Sequence, residues 1–282
     1  MLRNPVWCYT SGWCSAMFAE GDLAVISIKK LTSMKVKSSK KSRSDLANSL
    51  SAHLKSFGEK YEDIVICPTC LGEFSVKADQ EKFSAGHILP EVAGGQEWTF
   101  ICRSCNSRFG EKQDKWFGEY LHILNIPTGT FLDAKTKNKY ISINGEVVRG
   151  DISVRDDGSV EVFVPIDRNP PGKVKSIPKG PKLELSFKPV LIDHENEIEI
   201  GYITAAYLIW FHEIGYNWVF QSSLDVVRKQ ILECDRSLNG AKVIDLDFDK
   251  SPVEGVGAVL QSDTLYPCCV VVDKLVVIGK QE

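Results

Sequence analysis

No run of about 18 apolar residues occurs in this chain of 282 residues, so no membrane-spanning helix is expected. The opening stretch, MLRNPVWCYTSGWCSAMF, has one arginine and only short apolar runs, broken by polar residues and Gly12. It makes a poor secretory signal. Charge of one sign is also lacking: 34 Lys and Arg stand against 37 Asp and Glu, a net −3, which does not advertise a nucleic-acid surface. There is no internal repeat. Cysteines number nine, an odd total with four of them in two Cys-x-x-Cys pairs. That pattern argues against a disulfide framework and for metal thiolates in a reducing compartment, so a cytoplasmic location is expected. Histidine is scarce at five, and His53, His122, His194 and His212 are scattered without any chemical context.

What is present is a globular composition, 43% hydrophobic and 25% charged, long enough for one large domain or two ordinary ones. The near-neutral average hides a gradient. Residues 1–60 carry ten basic and four acidic side chains, whereas residues 61–120 carry six and ten. The run Lys29–Arg43, KKLTSMKVKSSKKSR, has seven basic residues and no acidic one, the composition of a mobile arm or linker. A phosphate-binding surface would most easily draw on it, and a solvated basic linker is an equal alternative.

Ser44 is placed to cap a helix running to about Glu59, with Leu46, Leu50, Leu54 and Phe57 on one face. Ile64–Ile66 reads as a strand, His87-Ile-Leu as an apolar strand-like segment ended by Pro90, Gly94-Gly95 as a turn and Trp98–Ile101 as a second strand. From Arg103 the pattern turns helical, with Phe109, Trp116, Phe117, Tyr120 and Leu121 near the helical period and Pro127 closing the region. Trp98 and Trp116 are expected in the core. Further on, Tyr140–Ile143, Val160–Val164, Leu183–Phe187, Val243–Phe248, Val256–Leu260 and Cys268–Ile278 read as strands. Tyr202–Ile214 and Leu224–Cys234 read as two packed helices. The expected division is residues 1–60, a basic segment with a helix; 61–127, a metal-knuckle module; and 128–282, an α+β C-terminal domain for recognition or regulation. The fold class is α+β.

The chemistry concentrates between Cys67 and Asp114. Two knuckles, Cys67/Cys70 and Cys102/Cys105, bracket His87, and Asn106 follows the last cysteine directly. Four thiolates in two such pairs suit a tetrahedral structural zinc. The ion would tie the start of a hairpin to the start of a helix, with Asn106 in the first helical turn at the positive end of the dipole. A neutral histidine on the neighbouring strand is suited to take a proton from water. A divalent cation on the scissile phosphate would offset the charge that builds there.

The segment GHILPEVAGG followed by CRSCNSRFG resembles the zinc-knuckle branch of the HNH endonucleases, the ββα-metal class. The elements that carry the resemblance are Cys67/Cys70, His87-Ile88-Leu89-Pro90, Gly94-Gly95, Cys102/Cys105-Asn106 and Phe109-Gly110, within residues 64–120. The resemblance implies His87 as general base, Asn106 as a ligand of a catalytic Mg²⁺ or other divalent ion, and four structural cysteines. It implies hydrolysis of DNA phosphodiester bonds. The basic run with Lys40 and Lys41, together with Arg103 and Arg108 near the helix start, supplies the candidate phosphate contacts. The resemblance also implies a restriction or antiphage setting, with a regulatory protein or signal as a further candidate partner.

Two positions depart from the family pattern. The residue before the histidine, usually a metal ligand, is Gly86, and the position of the middle asparagine holds Glu97. Glu97, Glu91 and Asp114 are the candidate replacement carboxylates. On one continuous helix Asp114 would lie roughly 12 Å beyond Asn106, far for shared ligation. The alternative reading is a degenerate HNH fold that binds nucleic acid or a protein without cleaving. A Gly86→Asp change is expected to raise activity where the pocket merely lacks a ligand. A zinc ribbon with no nucleic-acid role would show no salt-dependent DNA binding.

Overall fold

The helix Glu195–Ile214 has no polar face along most of its length: Ile200 through Ile209 are all buried. Such a helix must be surrounded by protein, and the rest of the molecule is arranged around it. The computed structural model describes residues 8–10, 13–15, 23–30, 43–90, 97–125, 136–154, 160–177, 185–186, 193–245, 255–261, 264–271 and 274–279.

In chain order the elements are β1 Cys8–Thr10, β2 Trp13–Ser15, β3 Leu23–Lys30, α1 Arg43–Lys55, β4 Ile64–Ile66, β5 Glu73–Ser75, β6 Phe83–His87, β7 Glu97–Cys102, α2 Arg103–Glu111 and α3 Gln113–Asn125. They continue with β8 Thr136–Ile143, β9 Glu146–Val154, β10 Val160–Phe163, β11 Leu185–Ser186, α4 Glu195–Ile214, α5 Tyr216–Val219 and α6 Asp225–Glu233. The last four are β12 Ala241–Asp245, β13 Gly255–Gln261, β14 Thr264–Val271 and β15 Lys274–Ile278. The fold is α+β, and every paired strand runs antiparallel to its neighbour. One sheet has the order β1-β2-β3-β13-β14-β15-β12, another β10-β9-β8-β11, and β4–β5 and β6–β7 are separate hairpins.

Helix α4 packs against α3 and β7, and also against β12, β14 and β15. At Gly201 the approach of α3 is close enough that a Cβ would fall 2.4 Å from the Phe117 ring, so only glycine fits there. One hydrophobic core therefore runs from Ala47 and Leu54 in α1, through Phe83, Phe100 and Phe117, to Val276 and Ile278 in β15. The four-stranded sheet has a small core of its own: Ile141, Ile143, Val148 and Ile152.

Several local expectations change. Helix α1 begins at Arg43, so Ser44 lies inside its first turn, where its hydroxyl accepts from Asn48 Nδ2 at 3.5 Å. The helical pattern from Arg103 is two helices, broken at Lys112 (φ −106°, ψ −94°), so a straight-axis distance from Asn106 to Asp114 does not apply. The apolar run 268–278 is two strands, because residues 271 and 274 pair with each other. The N-terminal segment contributes three strands, and β3 joins β13 in the large sheet, with Lys29 opposite Val256. Residues 31–42, most of the basic run, lie outside the described residues. No helix among the described residues is long and apolar enough to cross a membrane.

Candidate metal centre and active site

Strands β6 and β7 form a hairpin in the register Phe83↔Cys102, Gly86↔Thr99 and His87↔Glu97, with an irregularity between Gly86 and His87. Cys102 ends β7 and caps α2, its Sγ accepting from the Cys105 N–H at 3.4 Å. The second knuckle thus spans the strand-to-helix junction, where the partial positive charge of a helix N-terminus favours sulfur carrying negative charge. The first knuckle turns between β4 and β5. The Cys67 N–H donates to the Gly72 carbonyl at 2.9 Å and the Leu71 N–H to the Cys67 carbonyl at 3.0 Å, with Leu71 at φ +58°. The Thr69 hydroxyl lies 3.3 Å from Cys67 Sγ.

These turns bring the sulfurs of Cys67, Cys70, Cys102 and Cys105 within 4.8 Å of one another. Cys70 and Cys102 Sγ are 3.8 Å apart. A tetrahedron with Zn–S bonds of ~2.3 Å has an edge of about 3.8 Å, so the donor set fits a tetrahedral ion such as zinc. Thiols this close share protons. Burial works against charge on Cys67, yet hydrogen bonds from Cys102, Cys105 and Cys70 hold it well below the ordinary thiol range. Hydrogen bonds from Cys102 and Cys105 bring Cys70 down to about 7. Cys105 is pushed up by contact with Cys102, Cys67 and Cys70. Two sulfurs are therefore predisposed to be thiolates, the form that binds metal.

His87 is half-buried at the end of β6, and Asn106, also half-buried, is the fourth residue of α2, which packs on β6 and β7. Hairpin and helix thus form a ββα unit carrying the histidine and the amide on adjoining elements. Glu97 pairs with His87 through its backbone; its side chain, together with Glu91, Lys40 and Lys41, lies outside the described residues. Asp114 opens α3, where burial pushes its carboxyl up to about 6. Among the described residues only the four cysteines gather as three or more His, Cys, Asp or Glu ligands.

Gly86 is not simply a vacant ligand position. It is buried, and a Cβ there would lie 2.8 Å from Ile101 Cγ2 and 3.3 Å from Thr99 Cγ2. A carboxylate at 86 would have to displace the wall of the hairpin, so Gly86→Asp cannot serve as a clean restoration of a ligand.

Arg103 is exposed on α2. Arg108 is exposed too, but its Nη1 donates to the Leu232 carbonyl at 3.4 Å, and Lys112 Nζ donates to the Glu233 carbonyl at 3.5 Å. Both cations therefore sit at the carboxyl end of α6, where the helix dipole favours them. An open cleft of about 640 Å³ lies between that end and the Ser104 and Ser107 side of α2. Trp116 is half-buried and stacks on His194 at 3.4 Å between ring centres.

Sequence reasoning missed the residues that reach this unit from far along the chain. Thr204 of α4 accepts through its Oγ1 from the fully buried Gln113 at the start of α3, at 3.1 Å. Tyr207 and Tyr216 end on the backbone beside Cys67. Burial pushes both phenols up, Tyr207 to about 12, so each keeps the proton it donates. An aromatic residue on an apolar helix looks like core, and no local pattern says that its hydroxyl has a distant partner.

Residues 67–122 match the family model described as HNH endonuclease. The matched span begins at the first knuckle cysteine, contains the hairpin and α2, and ends in α3. No curated protein and no solved structure matches the chain.

Proposed function

We propose, from the HNH endonuclease unit at residues 67–122, that the chain is a metal-dependent endonuclease that hydrolyses phosphodiester bonds in DNA. The observation that carries the reading is the placement of His87 on the strand that adjoins the Asn106 helix, in a unit stapled by four cysteines. The four cysteines hold a structural zinc. Asn106, with Glu97 as the carboxylate nearest His87 in the backbone register, would hold a divalent ion of the Mg²⁺ or Mn²⁺ class. That ion would supply positive charge at the scissile phosphate and leaving oxygen.

The protein's own part begins with His87. As a neutral imidazole it accepts a proton from the attacking water, which makes the oxygen nucleophilic as it approaches phosphorus. The irregularity between Gly86 and His87 shifts the strand register at that point, a common device for re-aiming a side chain beside an active site. Phosphate contacts come from Arg103 and from the basic stretch that includes Lys40 and Lys41, with Arg108 joining them on release from the Leu232 carbonyl. We place the activity in a restriction or antiphage setting, where the resemblance puts HNH units joined to other domains.

The test is cleavage of supercoiled plasmid with Mg²⁺, Mn²⁺ or Ni²⁺, wild type beside His87→Ala, both with metal content and folding checked. His87→Ala is expected to lose about 10²–10⁴-fold in rate. A folded, zinc-loaded wild type that cuts neither DNA nor RNA would reduce the unit to a binding element. Phage plating on cells carrying either form tests the setting.

A further inference from the structure

Two tyrosines from outside residues 67–122 hold the first knuckle. The Ile66 N–H donates to Tyr216 Oη at 2.9 Å, and the same hydroxyl donates to the Ile66 carbonyl at 3.0 Å. The Tyr207 hydroxyl donates to the Pro68 carbonyl at 2.6 Å. Ile66 and Pro68 are the residues on either side of Cys67. Both tyrosines are fully buried. Behind Tyr207, the buried Arg228 donates to the Val219 carbonyl at 2.8 Å, lies 3.5 Å from Tyr207 Oη and pairs with Asp225.

We propose that Tyr207 and Tyr216 are positioning residues for the four-cysteine site: the docking of α4 and α5 on the first knuckle governs how tightly that site retains its ion, and the bound ion in turn holds the helices. Ile66 is the last residue of β4, and it is buried. The Tyr216 hydroxyl meets both its N–H and its carbonyl, as a neighbouring strand would. Without it the two backbone groups are buried with fewer partners, which is costly and is relieved by letting the strand end move. Cys67 follows directly, so the movement falls on a ligand. Groups that orient metal ligands from behind tune metal affinity, and thermodynamic linkage makes the coupling reciprocal.

The inference does not depend on hydrolysis and stands or falls apart from it. The experiment uses the full chain loaded with zinc, in the absence of denaturant, and follows zinc transfer to a colorimetric chelator. Tyr216→Phe and Tyr207→Phe are compared with Ile231→Val, which trims one methylene from the buried face of α6 and removes no hydrogen bond to the knuckle. Release is expected to accelerate on the order of tenfold in Tyr216→Phe and less in Tyr207→Phe, with Ile231→Val close to wild type. In wild type, zinc removal is expected to speed amide exchange across residues 207–219 while β8 and β9 stay unchanged. This second measurement decides if the tyrosine variants do not fold. Release rates equal to wild type in both tyrosine variants would overturn the proposal. So would unchanged exchange at 207–219 after zinc removal, or a folded chain that binds no zinc.

Discussion

The four-cysteine unit and the four-stranded sheet β8–β11 solve the same problem differently. Each is small, and neither has enough apolar residues to bury a large core alone. The unit gathers four thiols at one point and sinks apolar side chains such as Phe83, Phe100, Phe109 and Phe117 into a core shared with α4. Among the described residues the sheet buries four aliphatic side chains of its own, and Phe163 at the end of β10 is 63% exposed, as is Ile166 just beyond it at 74%. Candidate metal ligands and shared burial therefore concentrate around the candidate site, and the sheet is a satellite cluster. The proposed site, which would hold a histidine and an amide in fixed relation, benefits from being in the first class.

The largest break in this comparison comes from the cysteines. Cys67→Ser removes a ligand at the buried end of the site and is expected to abolish stoichiometric zinc and the near-ultraviolet dichroism of the aromatic core. Structural zinc is worth roughly 10 kcal/mol or more. Amide protection in β8 and β9 is expected to survive, and its loss would show that the sheet depends on the unit after all.

Next is Gly201→Ala. A Cβ 2.4 Å from Phe117 has no room, so α3 and α4 must separate, at about 1–3 kcal/mol in chemical denaturation. An unchanged midpoint would mean that α3 is less firmly seated than its contacts imply.

Asp114 gives a smaller effect with a definite sign. Its carboxyl is raised from 3.8 to about 6 by burial, so the folded chain binds that proton more tightly than the unfolded one. The resulting stability is fully present below 3.8 and is lost as pH rises through about 6. Asp114→Asn, with zinc present and no other divalent ion, is expected to flatten this part of the stability curve. It should gain about 1–2 kcal/mol near pH 7, the shift being discounted for partial exposure. A curve parallel to wild type would assign the pH dependence to other groups.

The smallest effect is expected on the sheet. Phe163→Ser removes an exposed ring and should change stability by less than about 0.5 kcal/mol. A larger loss would show that the ring is covered in the intact protein.

How much of this was legible depends on the range of the interaction. The knuckles, the hairpin and the start of α2 are set by neighbours within a few residues, and Cys102 serves as strand end, helix cap and candidate ligand together. The break at Lys112 was not legible, because the apolar spacing of Phe109, Trp116 and Phe117 continues at nearly the helical period across it. The strands of the N-terminal segment were hidden for the opposite reason. They enter the large sheet through β3, whose partner β13 lies more than 200 residues away, and a basic composition dominated the local reading.

The amino-acid order by itself determined the two cysteine knuckles, the ββα unit and the place of His87 at a strand end, because knuckle spacing and turn chemistry act over short stretches of chain. Only the tertiary structure decided that Gly86 is closed by Ile101, that Arg108 and Lys112 sit at the end of α6, and that Tyr207 and Tyr216 hold the first knuckle. Those are contacts between residues far apart in the chain, and a contact of that kind leaves no period or spacing to read.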